Sequence, residues 1–184
     1  MVCYGIGHFG VSRASALQAA LATLLRKHLN IRGPMYMYDP VLTENEKEAA
    51  IELGFTLLTL NEVGLRRVHQ NTLFYMPHCG RRLYSNVLRA NWGPTRLPHL
   101  LIIGNSFQGY RLRMLTDHKA KRSCCVEKIG DELTFESRLP RAQEEDVFAD
   151  TAVITFPTAA LQMRTPSFWT ELEKDAGGDD HSWC

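Results

Sequence analysis

Residues 5 to 10 read GIGHFG, and the spacing G-x-G-x-x-G between an apolar run and a long amphipathic stretch is the pattern that seats a dinucleotide at the start of a helix. Gly5 and Gly7 would bring the backbone close to a phosphate or cofactor, with His8 beside them. The same residues also make a plain strand-to-helix turn. Asp39 closes the string MYMYDP, where an acid would hold a ribose hydroxyl; before Pro40 it also serves as a turn former. Its spacing is stretched: it lies 29 residues past Gly10 (39 minus 10), against about 20 in the usual fingerprint.

Pro77, His78 and Cys79 follow the string TLFYM. An imidazole and a thiolate there would ligate a metal or haem iron, or act as base and nucleophile. Successive side chains point apart, however, so the pair reads equally as a buried thiol beside a hydrogen-bonded histidine. A metal triad of His8, Asp39 and His78 is chemically reasonable but not demanded by spacing. Asn105 and Ser106 follow LLIIG, and Asn91-Trp92 offers either a ring to stack on a planar ligand or a loop anchor. Arg81-Arg82 reads as a solvated helix start. The run HKAKRSCC, residues 118 to 125, is basic but short and free of aromatics, so it does not predict nucleic-acid binding.

These residues need a frame that gathers strand ends. Val2 to Gly5 reads as a strand, and Ser12 is an N-cap for a helix whose Leu17, Leu21, Leu24, Leu25 and Leu29 predict one buried apolar face. MYMYDP is a second strand; Thr43-x-x-Glu46 is a capping-box pattern for a second helix that Gly54 closes. Phe55 to Leu60, Thr72 to Met76 and Leu100 to Ile103 read as further strands, with a helix from Arg82 to Ala90. VITF, residues 153 to 156, reads as one more strand, an antiparallel edge. Residues 115 to 146 are charged and mixed in pattern, and the tail DAGGDDHSWC reads as disordered. The alternation predicts an α/β, Rossmann-like three-layer fold: a mostly parallel sheet with helices on both faces. Ligands bind such sheets beyond the carboxyl ends of the strands, where Gly5, Gly7, His8, Asp39, Pro77, His78, Cys79, Asn105 and Ser106 would form one rim.

The 184 residues suffice for one domain, and a formal charge of +1 supplies no field for nucleic acid or an anionic membrane. Five cysteines without a CxxC pair argue against a disulfide framework and a zinc knuckle, and for reduced, intracellular thiols. No apolar run reaches the roughly 20 residues of a membrane span, so a soluble chain is expected. A strand that begins at residue 2 has no lead-in, which suggests a piece of a longer protein.

The string FYMPHCGRRLYSNVLRANW, then LLIIGNSF and Tyr110, closely resembles the sensitivity-to-red-light-reduced family, whose animal members are the SRR1-like proteins. The resemblance extends through VCYGIGHFG, YDPVLTENE, the NEVG segment and VFADTAVITF, covering residues 2 to 156 and leaving 157 to 184 as an extension. It implies a non-enzymatic regulatory role in haem biosynthesis and circadian gene expression, in the cytoplasm with the nucleus as a second location. It matches Gly5, Gly7, Asp39, Pro77-His78-Cys79, Asn91-Trp92 and Gly104-Asn105-Ser106 to the family pattern, while Gly10 is incidental to it. The expected occupant of the rim is a protein partner or a small molecule, haem or an adenosine-containing cofactor. The competing expectation is a methyltransferase-like enzyme, with Asp39 holding the ribose of S-adenosylmethionine.

Overall fold

The computed structural model describes residues 1–116, 125–140 and 147–175; the basic run before Cys125 and the tail from residue 176 lie outside the described residues. Seven strands form one sheet in the order β3-β2-β1-β4-β5-β7-β6: β1 (Val2–Tyr4), β2 (Tyr36–Tyr38), β3 (Thr56–Leu57), β4 (Thr72–Met76), β5 (Leu100–Asn105), β6 (Phe135–Arg138) and β7 (Thr151–Thr155). The first five run parallel, with Val2 opposite both Tyr36 and Phe74; β7 is antiparallel to β5 and β6. The order reverses between β1 and β4, which makes their carboxyl ends the switch point where such sheets take ligands.

The helices are α1 (Arg13–His28), α2 (Glu44–Glu52), α3 (Arg81–Ala90), α4 (Phe107–Thr116), α5 (Cys125–Lys128), α6 (Thr158–Gln162) and α7 (Pro166–Asp175). Ser12 caps α1 by accepting from the Ser15 amide at 3.3 Å, and the Thr43–Glu46 capping box opens α2 as its sequence requires. One core lies under α1 and α2, built on Cys3, Met37, Tyr75 and Ile103; the other lies under α3 and α5 to α7, built on Phe74, Ile102, Tyr84 and Ile154.

Two features depart from the sequence reading, and two others add to it. The face of α1 that meets the sheet carries Gln18, Ala19 and Ala22, whereas Leu17, Leu24 and Leu29 are 40, 49 and 51% exposed. Small side chains let the helix backbone sit close to the sheet, which turns the leucine ridge aside. VITF is not the edge: the strand starts at Thr151 and is covered by β6, which lies in the stretch that showed no clear pattern. The connection from β3 to β4 contains no helix. Its place is taken by a loop held by Glu62, which accepts from the Tyr4 hydroxyl at 2.8 Å and from a forked Arg66 at 2.8 and 2.7 Å, with Arg66 stacked 4.7 Å from the Tyr36 ring. Finally, α6 and α7 pack onto the core through Leu161, Phe168 and Trp169, and Trp92 meets Phe168 in a tilted contact at 5.6 Å and Trp169 edge-on at 5.4 Å. Trp92 is therefore the loop anchor of the two readings.

Candidate functional site

The glycine loop is built by two residues that leave no room for a side chain. Gly5 has φ +65°, and a methyl there would lie 2.6 Å from Cys79 Sγ; Gly7 has φ +80°, and a methyl would lie 2.7 Å from Ser15 Oγ. The Gly10 methyl position meets only Glu46 atoms, at 3.3 Å and beyond, so the third glycine is not demanded as the first two are.

What the loop does with its amides decides its chemistry. The Gly7 N–H donates to Asp39 Oδ2 at 2.7 Å, and Asp39 Oδ1 accepts from the Val41 N–H at 3.1 Å. The Gly10 N–H donates to Glu46 Oε1 at 2.8 Å, and Glu46 Oε2 lies 3.1 Å from His8 Nδ1. At α4 the same device recurs: Glu136 Oε2 accepts from the Phe107 and Gln108 amides, each at 3.1 Å, and the Ser106 hydroxyl accepts from Gly109 at 2.8 Å while donating to Glu136. Carboxylates of the chain occupy the positions where a phosphate would sit, and an incoming phosphate would meet like charge. α3 begins without a side-chain cap, but Arg81 there is paired with Glu127 at 2.7 Å.

The amides of Thr43 and Gly10, with the first contributing most, hold the Glu46 carboxyl down from its ordinary 4.5 to about 2. A depressed folded value contributes stability that is fully present above pH 4.5 and lost as pH falls toward 2. The thermal stability advantage of the wild type over Glu46→Gln is therefore expected to shrink across that window and stay constant from pH 5 to 7. Melting temperatures at half-unit pH steps check this; a constant difference down to pH 2 would contradict it.

Pro77 is buried at the end of β4, His78 is exposed and Cys79 is 7% exposed, so the adjacent imidazole and thiol do point apart. His78 adopts φ +54°, held by its N–H on Asn105 Oδ1 at 3.0 Å and by Nε2 at 2.7 Å from the Val147 carbonyl. The Asn105 amide nitrogen donates to the Cys79 carbonyl at 3.2 Å and to the Tyr110 hydroxyl at 2.9 Å, and that hydroxyl donates to the same carbonyl at 2.6 Å. Cys79 donates its thiol to the Tyr4 carbonyl at 3.3 Å; burial, with the Asp39 charge second, pushes it up to about 12, so it stays protonated. Of the expected rim, Gly7 joins Asp39, Gly5 meets Cys79, and His78 joins Asn105. His8 turns to Glu46 instead of to Asp39 and His78, and Ser106 is fully buried beneath the rim. Among the described residues no three His, Cys, Asp or Glu side chains converge as metal ligands.

A cavity of about 470 Å³ opens beside Asp39 at the carboxyl ends of β2 and β3, walled by Met37, Leu42, Leu57 and Leu58 with Lys47 and Thr59 as polar points. Two others, each about 550 Å³, lie at the opposite, amino edge of the sheet, away from every glycine-loop residue. Sequence reasoning missed Glu46 and Glu136 as loop and helix ligands. The capping box marked Glu46, but its reach to Gly10 is a tertiary contact.

The SRR1 domain model matches residues 1–155. The chain belongs to the SRR1 family. Its relatives include the SRR1-like protein of Mus musculus, 38% identical over 134 residues that make up 72% of this chain and 54% of that protein. Protein SENSITIVITY TO RED LIGHT REDUCED 1 of Arabidopsis thaliana is 34% identical over 81% of this chain and 54% of its own, and the SRR1-like protein of Drosophila melanogaster is 30% identical over 92% and 60%. The chain thus spans little more than half the length of these relatives. No solved structure matches it. Among the described residues no helix is long and apolar enough to cross a membrane.

Proposed function

We propose that this SRR1 domain is a regulatory binding module whose rim takes a phosphate-free nucleoside, the adenosine of S-adenosylmethionine or a related molecule, and that ligand occupancy tunes its contacts with a protein partner. The observation that carries the reading is Asp39: its carboxylate is fixed by the Gly7 and Val41 amides at the mouth of an apolar cavity of about 470 Å³. Each carboxylate oxygen keeps a lone pair for a ribose hydroxyl, and the cavity is of the size that takes a small ligand. The carboxylates already on the loop amides favour a neutral or cationic ligand over a pyrophosphate. Regulation fits better than catalysis because the Cys79 thiol at the rim is protonated and the exposed His78 imidazole is tied to a carbonyl. The regulated processes implied by the family resemblance are haem biosynthesis and circadian gene expression, in the cytoplasm and nucleus. Haem itself is the less favoured ligand: His78 and Cys79 face apart, and a protonated thiol is a poor iron ligand.

The strand order, with its reversed β7, favours one second reading, a methyltransferase-like enzyme. One experiment tests both. S-adenosylmethionine at ten times its Kd should raise the melting temperature by about 4 °C, NAD should not, and Asp39→Ala should abolish the shift. Conversion of the bound cofactor to S-adenosylhomocysteine would select the enzyme; no shift with any adenosine compound at millimolar concentration would remove the site.

A further inference from the structure

The leucine ridge of α1 presents Leu17, Leu24 and Leu29 to solvent, while Leu21 and Leu25 beside them are half-buried against the core. Leu17, Leu21, Leu25 and Leu29 follow one another at i, i+4 spacing, with Leu24 beside them, and the ridge runs on into a cavity of about 550 Å³ that Leu29 shares with Leu73, Leu101 and Phe156. From Leu17 to Leu29 the ridge is about 18 Å long, the length of three helical turns and longer than most small ligands. Its margin has one sign of charge. Residues 1 to 38 contain no Asp or Glu, and neither cavity at this edge is lined by an acid. Lys27, His28 and His99 flank the ridge, and Arg32, Arg67 and His69 line the adjoining cavity, which shares Ile31, Asn71 and Thr72 with the first.

We propose that this ridge and the cavity at its end form a docking groove for an amphipathic helix of a partner protein, apolar on one face and acidic on its flanks. Helix-in-groove recognition needs anchors at i, i+3 and i+4 spacing, which the groove accepts along its length, and the basic margin selects acidic neighbours of those anchors. A second copy of this chain fits poorly, because the same face of the copy carries the same basic margin and no acid. The cavity at the end of the groove lies at the opposite end of the strands from Asp39, and none of the ridge leucines lines the cavity beside Asp39, so the proposal stands or falls independently of the nucleoside site.

The test uses a fluorescent helical peptide of about 18 residues with leucines on one face and glutamates on the flanks, and a twin with lysine in place of every glutamate, each titrated into the whole chain. The acidic peptide should bind at least about tenfold more tightly than its twin. Leu24→Glu, at an exposed position, should weaken the acidic peptide at least about tenfold with an unchanged circular dichroism spectrum, and Arg32→Glu should weaken it several-fold. The proposal is overturned if the two peptides bind alike, if the acidic peptide does not bind, or if Leu24→Glu leaves binding intact. It is equally overturned if Leu24→Glu dissolves a dimer seen by light scattering, or removes binding to vesicles of phosphatidylcholine and phosphatidylserine.

Discussion

Replacing Gly104 by alanine should destabilise the protein by about 3 kcal/mol, more than most single methyl groups added to a core. Gly104 sits in the middle of β5, where glycine ordinarily weakens a strand, and its φ is not the cause. Space is. A methyl there would lie 2.8 Å from the Met76 carbonyl oxygen and 2.9 Å from Tyr84 Cε1, and it would also meet the Tyr84 hydroxyl. That hydroxyl is fixed: it donates to the Met76 carbonyl and accepts from the Asn105 N–H at 2.8 Å, while the ring stands edge-on to Phe107 at 5.7 Å. Tyr84 therefore ties β4 to β5 just below the rim, and Gly104 is the gap through which it does so. Tyr84→Phe should cost about 2 kcal/mol, since it leaves a buried N–H and carbonyl without their shared partner. In the double variant the lost hydroxyl makes room for the methyl, so the two losses should sum to less than their separate values by about 1 kcal/mol. Urea denaturation of the four proteins checks this. Strict additivity, or a Gly104→Ala protein as stable as the wild type, would contradict it.

The second large effect is expected at Asn91, which is fully buried at the end of α3. Its Oδ1 accepts from the Val68 N–H at 2.8 Å, and its Nδ2 donates to the Arg66 and Val87 carbonyls, each at 2.9 Å. One amide group thus fastens the helix-free connection between β3 and β4 onto α3. Asn91→Ala leaves three backbone groups without partners and opens a small void, a loss of about 3 to 4 kcal/mol. Hydrogen exchange at the Val68 amide should accelerate by more than the global stability change requires, because the connection is released locally before the sheet opens. An Asn91→Ala protein within about 0.5 kcal/mol of wild type, with Val68 still protected, would show that the connection is held by Glu62 and Arg66 instead.

How much of this was legible before the structure depends on the range of the interaction concerned. Ser12, the Thr43–Glu46 box and Gly54 announce helix ends because capping is local, and the strands from Val2 to Leu100 are apolar runs between clear breakers. β6 escaped notice because FESR is an edge strand: Phe135 is 63% exposed and Glu136 turns inward to cap α4, the reverse of an apolar-in pattern. Of the leucines of α1, Leu21 and Leu25 do pack against the core, whereas Leu17, Leu24 and Leu29 stay exposed, because periodicity identifies a helix without saying which face meets the sheet, and Ala19 and Ala22 prevail where close approach is needed. At the rim, the strand ends bring Gly7 to Asp39 and His78 to Asn105. Sequence spacing had no means to show that Asp39 and Glu46 would reach across to the loop amides, since those bonds span 32 and 36 residues. That step changes the reading of GIGHFG from a phosphate cradle to a loop whose donors are already held by acids.

The most direct measurement is a calorimetric titration of the whole chain with adenosine and with ADP under the same buffer and salt. Adenosine should bind at least about tenfold more tightly than ADP, and Asp39→Asn, which keeps the shape of the side chain and removes its charge, should abolish adenosine binding. ADP binding as tightly as adenosine, or adenosine binding unchanged in Asp39→Asn, would contradict this.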